Sequence, residues 1–254
     1  MRSRLLCLPM IVAFAVAGCS TAPERAATVG VPTMSGASAQ PPVASAQPPA
    51  SQAPKPKGAG DQLTSAQAKA ALLTVADLPT GWASVKSTAD DQSTSKIEPV
   101  ACQTTYDELT APFDELAATS VGKGAKVKEK ATFSKDLSVL EMQVSSFETD
   151  NRGDQIKNLG ERLTKCAKMT STKKGVKTET TMTPLSFPNL GDRSLVVRMN
   201  EKNQLMDVVA DFVFVATGHN TASFMAAGFQ PIPGTELEKI ARAGMTKLAV
   251  AAKS

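Results

Sequence analysis

The 254-residue chain is poor in the side chains from which most active sites are assembled: it has one histidine, one tryptophan, one tyrosine and four cysteines, and 4% aromatic residues. His219, with no cysteine or second histidine near it, leaves no zinc set and no triad to build, since zinc needs three or four such ligands. We read it as a turn residue and expect no metal and no cofactor. So few aromatics give no stacking platform for bases. No apolar run reaches the roughly 18 residues of a membrane-spanning helix. Charge excludes a further class. Residues 61–254 carry 23 Lys and Arg against 23 Asp and Glu, and the net +4 of the whole chain comes from Arg2, Arg4, Arg25, Lys55 and Lys57 against Glu24. A near-neutral domain has no basic stripe for nucleic acid.

What the chain does have begins at its start. Arg2 and Arg4 precede an apolar stretch from Leu5 to Ala17, of secretory-signal length and too short to span a bilayer. Val16-Ala17-Gly18-Cys19 resembles the lipobox of bacterial lipoproteins, which implies a diacylglycerol on Cys19 and cleavage just before it. The competing reading is plain secretion, because Ala15-Val16-Ala17 also fits an A-x-A cleavage site. Cysteine arithmetic separates the two. Cys7 leaves with the signal, and plain secretion strands one thiol among Cys19, Cys102 and Cys166, whereas lipidation removes Cys19 from the count. The expectation is a signal peptide at 1–18 and a lipid-anchored, extracytoplasmic protein on the cell membrane. Cys102 and Cys166 are then left as a structural disulfide closing a 63-residue loop.

Residues 19–60 are almost wholly Ala, Pro, Ser, Gln, Thr and Gly, with Ser38-Ala39-Gln40-Pro41-Pro42 repeated at Ser45-Ala46-Gln47-Pro48-Pro49. Such a segment buries too little apolar surface to offset its ordering entropy and reads as a disordered tether. Its prolines favour extended chain, giving a maximal reach of about 130 Å at ~3.1 Å per residue.

From 61 onward the pattern predicts one α+β domain. A short helix capped by Ser65 carries Ala68, Leu72 and Leu73, and Leu78-Pro79-Thr80-Gly81-Trp82 breaks it. Trp82 is expected as a lid on the core. A second helix runs from Cys102 through Tyr106 and Leu109 toward Phe113. Period-two alternation predicts strands at 127–133 and 138–146. Ile156, Leu159, Leu163 and Cys166 then fall on one helical stripe. Further strands follow at 176–182, 195–199, 205–217 and 221–226. The strand at 205–217 is apolar on both sides and so central, and Gly218-His219-Asn220 turns the chain. Thr235-Glu236-Leu237-Glu238 matches a capping box for a closing helix whose face is Leu237, Ile240, Ala241, Gly244, Leu248 and Ala251. The expected architecture is an antiparallel sheet of about five or six strands with helices packed on one face.

Leu72-Leu73, Asp77-Leu78-Pro79-Thr80-Gly81-Trp82, Cys102, Cys166, Leu190-Gly191-Asp192-Arg193-Ser194, the apolar strand to Gly218 and the Ala-rich last helix, in that order, resemble the actinobacterial sensor-domain lipoproteins. These are relatives of the extracellular sensor domain of mycobacterial transmembrane serine/threonine kinases. The resemblance spans nearly all of 61–254 and implies an antiparallel sheet with a cleft, a ligand-sensing role and no enzyme. The chain departs from the kinases in lacking a kinase domain and transmembrane helix, and in one disulfide where that ectodomain has two.

Four residues stand out as candidate ligand contacts: Trp82, Arg193, Arg198 and Asp211. Asp211, inside an apolar strand, either orders a cleft or, if covered, needs an arginine partner. Asp207 lies about 13 Å from it along the strand, outside the usual separation of a glycosidase carboxylate pair. Arg193 and Arg198, with the lysine run at 165, 168, 173, 174 and 177, have the chemistry to meet an anionic cell-wall polymer, a lipid headgroup or a small molecule, although most charge runs are solvated faces. The sequence therefore predicts a non-enzymatic sensor-like binding domain, against the alternative of a lipid or glycolipid carrier, which requires a large apolar cavity.

Overall fold

A computed structural model of the chain describes residues 60–86, 95–110 and 124–254. The expected signal peptide, Cys19, the tether up to residue 59 and Phe113 lie outside the described residues. Pro48–Ser254 is one compact unit that contains both hydrophobic cores.

The described elements are α1 (Ser65–Ala70), β1 (Ala83–Val85), β2 (Lys96–Glu98), α2 (Gln103–Thr110), β3 (Ala125–Lys135), β4 (Ser138–Phe147), α3 (Arg152–Lys165), β5 (Lys168–Lys173), β6 (Val176–Pro184), β7 (Arg193–Lys202), β8 (Asp207–Thr217), β9 (Asn220–Gly228) and α4 (Gly234–Ala251). All nine strands form one antiparallel sheet in the order β1-β3-β4-β9-β8-β7-β6-β5-β2. The expected count of five or six was too low. β1 and β2 have three residues each, too few to show a period, and β5 turns only Met169 and Ser171 inward, so one of its two inward positions is polar.

Helices cover both faces of this sheet, which corrects the expectation of one. On the first face α1 and α4 pack over β3, β4 and β9, closing a core of Phe133, Leu140, Met142, Val213, Val215, Phe224, Leu237, Ile240 and Leu248. On the second, α3 packs over β6, β7 and β8 against Val197, Met199, Phe212, Phe214 and Ala216, and α2 lies against β2 and α3. Alternation along β8 sends Val213 and Val215 one way and Phe212 and Phe214 the other. A strand apolar on both sides demands cover on both sides, so the sequence of β8 already carried the two-faced answer.

Local chemistry explains the helix ends. Thr64, one residue before the expected Ser65, caps α1 and forms a reciprocal capping box with Gln67. α4 begins after Pro233, and no side chain caps it, so the box expected at Thr235 does not form. The apolar face expected of α4 is the one buried. Cys102 and Cys166 are joined, with 5.6 Å between their Cα atoms, and the bridge ties the start of α2 to the end of α3. Glu108 and Arg162 pair across the same two helices.

Candidate functional site

The strands hold the four candidate ligand residues in places that do not converge. Arg198 and Asp211 sit opposite each other on β7 and β8, on the face covered by α1 and α4. Asp211 is 0% exposed, and Arg198 grips it with two bonds, Nε to Oδ1 at 2.7 Å and Nη2 to Oδ2 at 2.8 Å. Bonding to the carboxylate holds the Arg198 guanidinium above its ordinary pKa, against the opposing effect of burial. A carboxylate so enclosed has its charge met inside the protein and none left to offer a ligand. The pair therefore secures the fold and is withdrawn as a ligand contact, and Asp211 has the arginine partner its burial requires. Trp82 belongs to the same core and is buried among it, with its ring Nε1 lacking a described partner. Packing of that indole against the core, and not display on a surface, is its role.

Arg193 lies on the other face. Strand alternation puts it with Leu195 and Val197, beside α3. There, Ile156, Lys157, Gly160, Glu161 and Thr164 of α3 and Arg193, Ser194 and Leu195 of β7 line an open groove of about 240 Å³. The groove is narrow at Gly160, where a Cβ, if present, would meet Leu195 at 3.5 Å. Lys157 and Glu161 pair at 3.8 Å on its outer wall. Of the lysine run, none lines the groove. The groove falls below the roughly 300 to 1,000 Å³ usual for small-molecule sites.

Farther along the same face the sheet floor changes character. From β8 toward β3 the cross-strand rows read Phe212, Met225, Glu141, Thr132; then Phe214, Ser223, Gln143, Lys130; then Ala216, Thr221, Ser145, Lys128. Where α3 stops, at β8, apolar side chains give way to polar ones. Thr132, Glu141, Gln143, Ser145, Thr221 and Ser223 are all buried. Gln143 Nε2 donates to Ser145 Oγ at 2.9 Å, and Thr132 Oγ1 donates to Glu141 Oε2 at 3.4 Å. α1 and α4 occupy the opposite face, and α3 packs on β6, β7 and β8, so neither described helix layer packs substantially on this floor. The result is a continuous row of buried hydroxyl, amide and carboxylate groups on adjacent strands. Buried polar groups demand polar partners. Arg152 borders the floor at the start of α3, with its guanidinium 4.1 Å above the ring of Phe147.

None of the six floor residues was singled out in the sequence. The signal was there in half: Glu141, Gln143 and Ser145 alternate with Leu140, Met142 and Val144, and Thr221 and Ser223 with Ala222 and Phe224. Only the register of β4 against β9 shows that both polar sets share a face. His219 lies in the two-residue β8–β9 turn, as expected, its Nδ1 3.1 Å from the Phe147 carbonyl oxygen. Among the described residues no three His, Cys, Asp or Glu side chains come together as a metal set.

No protein-family model matches the chain, and no curated protein sequence matches it. Solved structures do. The extracellular domain of PknH from Mycobacterium tuberculosis aligns over 74% of this chain and 98% of its own length, with a TM-score of 0.56 at 15% identity. The two share a fold. An uncharacterised protein of Mycobacterium smegmatis, the Rv0999 ortholog, aligns over 72% of this chain and 96% of its own length, but at 11% identity and a TM-score of 0.42 the likeness is too loose to build on. The fold implied by the order of motifs, that of a mycobacterial kinase's extracellular domain, is thus the fold observed, at an identity that fixes architecture and leaves function to the residues.

Proposed function

We propose that this chain is an extracytoplasmic lipoprotein, anchored through Cys19, whose folded part is a non-enzymatic sensor-like domain that takes a polar ligand on the floor formed by β3, β4 and β9. The observation that carries the reading is the floor itself: six buried polar side chains on three adjacent strands, outside the cover of α3. Hydroxyl, amide and carboxylate groups fixed on a sheet suit a polyol, a sugar or a polar headgroup, each of which offers alternating donors and acceptors. The extracellular address of PknH's matching domain and the lipobox-like string agree on the side of the membrane. The disulfide is at home there.

The lipid-carrier alternative wants a large apolar cavity. The α3–β7 groove is small and open, and the two cores are filled by fully buried side chains such as Phe133, Phe214, Phe224, Leu140 and Ile240. The sensor reading is preferred on that ground.

A thermal-shift panel tests it. With N-acetylglucosamine oligomers, glycerol phosphate and inositol phosphate as probes, one class is expected to raise the melting temperature by about 5 °C or more at a hundredfold excess over its Kd. Substituting Gln143→Met with Ser223→Ala is expected to abolish the shift in a protein that still folds. A flat response across the panel, or a shift indifferent to the double substitution, rejects the reading.

A further inference from the structure

The strand register places three chain reversals and one strand end side by side at one end of the sheet. The β3–β4 turn carries Lys135, Asp136, Leu137 and Ser138, and β9 runs out beside it at Gly228 and Phe229. Next to β9 comes the β7–β8 turn, Lys202 to Asp207, where Lys202 and Asp207 pair. Beyond that lies the β5–β6 turn with Lys173, Lys174, Gly175, Val176 and Lys177, held to its neighbour by Asn203 Nδ2 donating to Thr178 Oγ1 at 3.3 Å. Of the ten exposed large apolar side chains among the described residues, six stand here: Leu137, Val139, Val176, Leu205, Met206 and Phe229. Leu205 and Leu137 are 78% and 74% exposed, the highest of the ten. Single exposed apolar residues need no explanation, but their gathering at one end does. The same turns hold five lysines against the two aspartates Asp136 and Asp207.

Shape selects the partner. From β3 to β5 the row spans seven strands, about 29 Å at ~4.8 Å per strand, and is about one sheet thickness, ~10 Å, deep. That gives roughly 300 Å², well under the ~800 Å² that each partner buries in a stable protein interface. Apolar tips that project one by one, with lysines between them, instead match a bilayer interface, where apolar groups insert and ammonium groups stay with anionic headgroups.

We propose that this end of the sheet is a membrane-contact edge that sets Leu137, Leu205, Met206 and Phe229 into the interface of an anionic bilayer. The proposal rests on the anchored, extracytoplasmic reading only for which membrane the edge meets. The tether joins at the opposite end, where the His219 amide donates to the Gly60 carbonyl at 2.9 Å. An eleven-residue strand such as β8 is about 36 Å long at ~3.3 Å per residue, so a tether with a reach of about 130 Å lets the far edge turn to the membrane. A lipid on Cys19 alone leaves the domain free to tumble, and a second weak contact fixes which way the floor faces.

The test uses Pro48–Ser254, which has neither the signal nor Cys19, so no lipid or apolar leader contributes. Sedimentation with phosphatidylglycerol vesicles is expected, with far less on phosphatidylcholine and loss of most binding in 0.5 M salt. Leu205→Ser and Leu137→Ser are each expected to weaken binding by about tenfold without moving the melting temperature. Lys177→Gln with Lys202→Gln is expected to remove most of the preference for anionic vesicles. Failure to sediment on phosphatidylglycerol, or binding unchanged by the leucine substitutions, overturns the proposal. Retention of the Cys19-bearing chain in cell membranes, lost on Cys19→Ser, reports the anchor separately, so either claim can fall without the other.

Discussion

A charge carried into the interior of a sheet has to be met there by a partner. Asp211 is the clearest case. An aspartate in an apolar strand announces that something must meet its charge, and β7 supplies Arg198 directly across the register. Removing one partner of such a pair strands the other, at a cost of about 3 to 5 kcal/mol. Asp211→Ala is therefore expected to lower stability by that order in a denaturant titration, while Asp211→Leu with Arg198→Met lies much closer to wild type. Equal losses in the single and double variants contradict the account. Tyr106, the single tyrosine, makes a second test at this scale. Burial, then the neighbouring charge of Glu201 and its bond to the phenol at 3.0 Å, push its pKa up to about 12. A raised pKa means that the neutral phenol is favoured in the fold. Its contribution is full below pH 10, the unfolded value, and lost as pH rises toward 12. Phenolate absorbance is expected to titrate near 12 in the folded protein, and Glu201→Gln is expected to bring the midpoint down toward 10. A midpoint near 10 in the unsubstituted protein contradicts it.

Among the elements, α4 shows how closely sequence and packing are matched. Gly244 lies on its buried face, and a Cβ there stands 2.7 Å from Cζ of Phe224 on β9. The helix approaches the sheet at that point because nothing projects. Gly244→Ala gains about 1 kcal/mol of helix propensity but forces an aromatic ring in a filled core, at about 1 to 3 kcal/mol. A net loss is expected in thermal unfolding, with partial recovery when Phe224→Leu is added. A stabilised single variant contradicts the packing. β3, β4 and β9 were legible because alternate positions differ in polarity, and β8 because its long β-branched and aromatic run is apolar on both sides. β5 was hidden because one of its two inward residues is Ser171, and β1 and β2 because three residues cannot display a period. The face of α4 was legible and its cap was not: a capping box describes a local possibility, and the N-cap falls at Pro233, two residues before Thr235.

On the scale of the whole molecule, the second face of the antiparallel sheet carries a stretch of buried polar side chains beyond the strands on which α3 packs. The order of weak motifs along the chain was enough to recover the fold shared with the PknH extracellular domain. The floor was not recoverable, because it is made by register: Gln143 and Ser223 are 80 residues apart and become neighbours only through β4 pairing with β9. The polar row begins beside β8, the last strand on which α3 packs, and that position is what the proposed ligand reading rests on. The groove beside Arg193 and the apolar edge at the hairpin tips belong to other surfaces, which allows ligand binding, membrane contact and stability to be separated by substitution. The most direct measurement is a map of backbone amide chemical shifts in Pro48–Ser254 as the sugar, glycerol phosphate and inositol phosphate probes are added. The account predicts changes centred on Thr132, Glu141, Gln143, Ser145, Thr221 and Ser223; an unmoved spectrum with every probe, or changes confined to Lys157 and Arg193 at the groove, contradicts it.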